Sequence, residues 1–204
     1  MTNPNSIIPE EWQGPTIYLV GVNLIFYIFT SIIGGGIVFT GPRALVLFGI
    51  SINSLQAGWF WTPFTSLFTH SSISHLGSNM IFLLVFGLRM EERNYSDRGI
   101  YFAYLATGFI AGTLSMFLFF ESSSLSVGAS GCVFGLLGLN YGIEKKESNP
   151  NSRKILGVSI IFLIFSGTSP STNIFAHLFG WIAGYILGFS DYFQKFNMEL
   201  QKFT

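Results

Sequence analysis

Charge is scarce in this chain. Of its 204 residues only 10% are Asp, Glu, Lys or Arg, against about a quarter in an ordinary soluble domain. The few charges cancel to zero net, so nothing marks nucleic acid as a partner. A single cysteine, Cys132, rules out an intramolecular disulfide and leaves the redox compartment open. The segment Met1 to Pro15 is polar, carries Glu10 and Glu11, and has no Lys or Arg. It is therefore neither the basic start of a cleaved signal peptide nor an Arg-rich transit peptide. What the chain has in abundance is apolar surface: half its residues are hydrophobic and the mean hydropathy is +0.52. This composition is that of an integral membrane protein.

Six apolar stretches are long enough to be read as spans. They run Ile17 to Phe39, Ile73 to Leu88, Gly99 to Phe120, Val127 to Ile143, Ile155 to Ser166 (short) and Ile174 to Phe189. The first fits a bilayer core of about 30 Å at about 1.5 Å per residue. Between the first two spans lies a long connection, Thr40 to Thr69, with Trp59, Phe60, Trp61, Pro63 and Phe64. Such aromatics suit the membrane–water interface, and a connection of that length is expected to be functional or packed on the membrane surface. The last fifteen or so residues read as an amphiphilic tail.

Basic residues set the orientation. Nine of the ten Lys and Arg fall at the second-to-third connection, the fourth-to-fifth connection or the C-terminal tail; only Arg43 falls on the other side. The positive-inside rule then makes both termini cytoplasmic. Spans two, four and six all enter from the outer side. His75 and Asn79 sit near the start of span two, Ser130 near the start of span four and His177 near the start of span six. The four are expected at similar depth, and the short fourth span can start inside the bilayer, below a wet outward cavity.

Polar groups at that depth mark a functional site by default. Two aspartates cannot form an intramembrane aspartyl pair, because Asp97 and Asp191 both fall at cytoplasmic ends. The three histidines, His70, His75 and His177, lack the His-Glu-x-x-His spacing, and no carboxylate or cysteine joins them as a zinc ligand. No metal or other cofactor is expected. A serine nucleophile with a histidine base survives. Ser130 stands among small residues in Gly128-Ala129-Ser130-Gly131, and Gly131, Gly135, Gly138 and Gly142 continue a smooth helix face. Taken alone, that stripe reads as a helix-packing motif, with the serine only another small residue. His177 heads a matching stripe, Gly180, Gly184 and Gly188, which would let the two helices close on each other. No acid completes a triad: Asp191 is about 21 Å further along the helix. His177 is instead expected to be oriented by packing, with Phe134, one turn past Ser130, against its ring. His75 and Asn79, one turn apart, serve equally as an oxyanion hole or as a polar pair between helices. Cys132 lies about 200° round the helix from Ser130 and reads as core. His70 reads as a loop or helix-start residue positioning the connection.

These motifs resemble the rhomboid family of intramembrane serine proteases. The resemblance rests on His70-x-x-x-x-His75-x-x-x-Asn79, on Gly128-Ala129-Ser130-Gly131 with Gly135-x-x-Gly138, and on Ala176-His177-x-x-Gly180-x-x-x-Gly184. It covers essentially the whole chain. It implies an all-α membrane protein, a six-transmembrane-helix bundle with a long, half-embedded first loop. It also implies a Ser130–His177 dyad, with His75, Asn79 and the Ser130 amide holding the oxyanion and Gly128, Gly131, Phe134 and His70 in support. The implied partners are the lipid bilayer and transmembrane protein substrates, cleaved near their outer ends at helix-weak sites. Span five, with Phe162 and Phe165, and the cap Gly167-Thr168-Ser169-Pro170 would form the substrate gate. One departure is visible: family members often carry Trp-Arg in the first loop, where this chain has Trp61-Thr62.

The implied organisation is a cytoplasmic segment 1–15, a catalytic core 16–194 and a cytoplasmic tail 195–204, in a prokaryotic cell membrane. Two rival readings are a catalytically silent relative that binds membrane clients and, in a different class, a small-solute transporter. The silent relatives usually lack the serine or histidine that this chain keeps. Inverted-repeat transporters show matching broken segments in two halves, and no such repeat is visible here.

Overall fold

A computed structural model describes residues 13–119, 124–168 and 172–202. The expectations placed on residues 1–12 and on Ser169 and Pro170 fall outside the described residues. The chain is a helical bundle: α1 (Pro15–Gly34), three short helices α2 (Pro42–Phe48), α3 (Ile52–Gln56) and α4 (Thr62–Thr65), then α5 (Ile73–Glu92), α6 (Asp97–Phe119), α7 (Ser130–Lys146), α8 (Asn151–Ser166), α9 (Ile174–Phe189) and α10 (Asp191–Gln201). Length and apolarity single out α1, α5 and α6 as spans, and α9 with α10, bent by 72°, as a fourth candidate. At 17, 16 and 16 residues, α7, α8 and α9 are each about 24–26 Å long, shorter than the usual hydrocarbon core. The outward faces are apolar: Ile25, Ile32, Phe117, Ile161 and Phe165 are all exposed. Water would not tolerate such a surface; lipid does. The protein is a multi-pass membrane protein.

Several boundaries differ from the sequence expectation, each for a local reason. α1 stops at Gly34 instead of running to Phe39, because Gly35 takes a left-handed φ of 77° and returns its N–H to Ser31. The fourth span begins at Ser130 instead of Val127, because Gly128 (φ 123°) gives its N–H to the Ser66 carbonyl and cannot join a helix. α6 starts two residues early, at Asp97, where the Ser96 hydroxyl accepts the Gly99 N–H. α8 gains a turn at its start, from Asn151. The tail is an ordered helix, with its N-terminus capped by the Ser190 hydroxyl.

α7 is the axis. Every residue from Gly131 to Asn140 is buried, so neighbours cover it on all sides. Its glycines do what the spacing suggested: they remove the side chains that would hold α9 away. A methyl group at Gly180, Gly184 or Gly188 would collide with the backbone carbonyls of Gly131, Gly135 or Leu139. In return, Gly138 and Gly142 meet the carbonyls of Trp181 and Tyr185. The two backbones therefore touch along three turns. Dispersion between backbones in contact replaces the hydrophobic drive that lipid does not supply.

At the end of the bundle away from Ser130, charge ties the helices together. The buried carboxylate of Glu144 on α7 accepts from Arg89 (2.5 Å) and Arg93 (3.0 Å) of α5, and Arg93 also reaches Glu147 (2.5 Å). α10 folds back onto this end. Asn197 accepts from the Ser96 N–H and hydroxyl, Phe193 stacks on Tyr95, and the Tyr95 hydroxyl donates to Gln194.

Two outcomes are expected. Gly184→Leu forces the helices apart and lowers stability by about 1–3 kcal/mol. Gly21→Ala, where the added methyl meets nothing, is neutral or stabilising by up to about 1 kcal/mol; unfolding midpoints in detergent compare the two. Burial pushes the Tyr95 hydroxyl up to about 12, against about 10 in an unfolded chain. Its contribution is whole below about pH 10 and is lost as pH rises towards 12. Thermal stability should therefore fall across that window, and Tyr95→Phe should remove this part of the pH dependence.

Candidate active site

The N-termini of α7 and α9 lie at the same end of the bundle, on the wall of a cavity of about 580 Å³. Ser130, His177, His75, Asn79, Gly128, Gly131 and Phe134 all line it; His70 and Cys132 do not. No Asp, Glu, Lys or Arg lines it among the described residues.

Ser130 is the first residue of α7, half-buried, where backbone N–H groups have no intrahelical acceptor. The turn before it is pinned from three directions. Gly128 donates to the Ser66 carbonyl (2.9 Å), Ala129 donates to Nε2 of His70 (3.4 Å), and Ser126 pairs with Ile50 through two backbone bonds (2.9 and 3.0 Å). His70 is wholly buried and its Nδ1 lies 3.1 Å from the Phe68 carbonyl. A carbonyl only accepts, so Nδ1 carries the proton and Nε2 is free to accept from Ala129. Sequence read His70 as positioning the connection; in the fold its acceptor nitrogen meets the Ala129 N–H of the serine turn. The first loop holds these anchors in place without an arginine beside Trp61. The Trp61 indole donates to the Leu47 carbonyl (2.9 Å), the buried Thr62 hydroxyl donates to Trp59 (2.9 Å), and Thr65 donates to Phe48 (2.8 Å).

His177 sits one turn into α9, almost wholly buried. Asn173 caps that helix by accepting the Ala176 N–H (3.0 Å), and its amide donates to Ser115 of α6 and Ser126 of the serine turn. The Phe134 ring stacks on the imidazole at 4.4 Å and 15°, and Phe162 stacks on the other face of Phe134 at 4.5 Å and 9°. Nδ1 of His177 lies 2.9 Å from the Ser166 hydroxyl. Ser130 and His177 share the cavity, yet among the described residues no hydrogen bond joins them.

Across the cavity, His75 is held by Ser71, 3.1 Å from its Nδ1, and its ring lies against Gly128. Asn79 gives one amide proton to the His75 carbonyl (2.9 Å), within its own helix. Among the described residues neither side chain is hydrogen-bonded to another helix. Cys132 is fully buried against Gly108 and Tyr104.

Asn173 and Ser166 were not singled out from sequence. Asn173 carried a legible signal, an Asn three residues before the Ala176 N–H it accepts at the head of an apolar helix. Ser166 carried none, since its contact with His177 spans a turn whose path sequence does not specify.

Comparison with known proteins fits this geometry. The model of the Rhomboid domain matches residues 57–192, about two thirds of the chain. The chain belongs to the rhomboid family. It is 29% identical to Rhomboid-like protease 3 of Toxoplasma gondii over 87% of its own length and 69% of that protein. It is 31% identical to Rhomboid protease GluP of Bacillus subtilis over 83% of the chain and 33% of that protein. It is 34% identical to RHOMBOID-like protein 4 of Arabidopsis thaliana over 73% and 39%. For the last two, the match spans 33% and 39% of the relative's length. These hosts do not single out a prokaryotic membrane.

Gly128 offers the sharpest test of this arrangement. A Cβ there would lie 2.7 Å from His75 Cε1, on a backbone that L side chains rarely adopt. Gly128→Ala should destabilise by about 1–3 kcal/mol. His75→Ala added to it relieves the collision but not the backbone strain, so it should restore only part of the loss in unfolding midpoint.

Proposed function

We propose that this rhomboid is an intramembrane serine endopeptidase that cuts transmembrane segments of other proteins with a Ser130–His177 dyad. The observation that carries the reading is the shared cavity: a serine at a helix N-terminus and a stacked, buried histidine, brought onto one wall by helices in backbone contact. In this reading His177 Nε2 takes the Ser130 proton as Oγ attacks the scissile carbonyl. The Ser130 N–H, His75 and the free amide proton of Asn79 then face the oxyanion, aided by the positive end of α7. His177 returns the proton to the leaving amine, and water from the cavity hydrolyses the acyl-enzyme. Polar walls keep that water: Ser71, Ser74, Ser78 and Ser126 line the same cavity.

A helical amide is sterically covered and already hydrogen-bonded, so the substrate must unwind before attack. Small or helix-breaking residues near the cut lower that cost. The fuller reading has six passes, with the shorter α7, α8 and α9 completing the set, both termini cytoplasmic and the cavity opening outward. It places α8, whose Phe162 joins the stack on Phe134, at the substrate entrance together with Gly167 and Thr168. The core is then 16–194, flanked by the segments 1–15 and 195–204.

In liposomes with a panel of model membrane substrates, Ser130→Ala and His177→Ala should each lower cleavage at least about 10³-fold. Fluorophosphonate labelling should vanish in both. Persistent cleavage by Ser130→Ala refutes the proposal, and intact folding without labelling in the parent chain favours a silent, client-binding relative.

A further inference from the structure

We propose that Ser166, the last residue of α8, is a positioning residue that fixes the tautomer of His177. This rests on the dyad reading above. The Ser166 hydroxyl lies 2.9 Å from His177 Nδ1 and donates, also at 2.9 Å, to the Leu163 carbonyl. A hydroxyl has one proton, and a carbonyl can only accept. With that proton spent on Leu163, Ser166 offers His177 a lone pair. Nδ1 must then be the protonated nitrogen, which leaves Nε2 bare. Bare Nε2 is the state a base facing Ser130 requires.

Packing alone cannot achieve this. The Phe134 face at 4.4 Å sets the plane of the imidazole, but a half-turn about Cβ–Cγ keeps that plane while exchanging Nδ1 with Cδ2. The stack does not distinguish the two. The Ser166 bond does, because only one of them brings a donor to Oγ. Ser166 therefore stands where a triad would place its carboxylate, but as a neutral acceptor, in a cavity wall without a charged side chain among the described residues. The acceptor comes from α8, a third helix beside those carrying Ser130 and His177. The imidazole is thus referenced to all three.

The test uses the full chain with Ser166→Ala and Ser166→Thr, both at a half-buried helix end where folding should persist; unchanged unfolding midpoints verify it. The first readout is 15N NMR of histidine-labelled protein, in which His177→Ala assigns its signal among only three histidines. The parent and Thr variant should show the Nδ1–H tautomer, and the Ala variant a mixture or the reverse. The second is kinetics on a model membrane substrate. Ser166→Ala should lower kcat about 10–100-fold with KM within about twofold, and Thr should restore it. An Ala variant with parental kcat, or with an unchanged tautomer, overturns the proposal. So does a loss of kcat that Thr fails to rescue. If the parent cleaves nothing, the dyad reading falls, while the tautomer still decides what Ser166 does.

Discussion

Backbone contact between α7 and α9 is the constraint on which the rest depends. A serine and a histidine 47 positions apart in sequence are carried to one cavity by helices that lie closer than ordinary side chains allow. Glycine is the device, and it acts in both directions. Gly180, Gly184 and Gly188 admit α7 carbonyls, while Gly138 and Gly142 admit those of α9. Any one stripe could be mere packing. The reciprocal fit seats the two helices backbone to backbone, with the proposed nucleophile and base at the same end.

Around those helices the chain solves a second problem, holding the irregular backbone of the serine turn within a packed helical bundle. Each unpaired N–H or carbonyl there is costly, so the turn before Ser130 is bonded to Ser66, His70 and Ile50, all in or beside the long first loop. The loop is thus a scaffold for the serine turn as much as a membrane-surface element. At the far end, Glu144 draws Arg89 and Arg93 onto α7, and α10 closes over the α5–α6 connection. Glu144 is buried while Arg89 and Arg93 are partly exposed, so solvent screens the cluster, which still ties α5 to α7 in register.

Much of this was legible in the sequence because membrane helices are written in composition. Apolar stretches gave the long helices, and the glycine spacing gave the α7–α9 contact. One helical turn puts Phe134 on the face of Ser130, and the α7–α9 contact then brings it against His177. The boundaries were less legible. Gly35 and Gly128 end or delay helices through positive φ, a property that an apolar window does not register. Charge counts could place the basic residues at one end but not reveal that Glu144 is buried between two of them. The Ser166–His177 bond depends on where a connecting turn brings the end of α8, which pattern cannot supply.

The most direct measurement of the central claim is covalent bridging by a chloroisocoumarin, which acylates a serine through ring opening and, with loss of chloride, then alkylates a histidine within reach. Peptide mass spectrometry of the treated protein should find one cross-link, between the peptides carrying Ser130 and His177, and Gly184→Leu should leave acylated serine without it. Acylation elsewhere, a bridge to a different histidine, or a bridge that survives the separated helices would contradict a site built by the contact of α7 with α9.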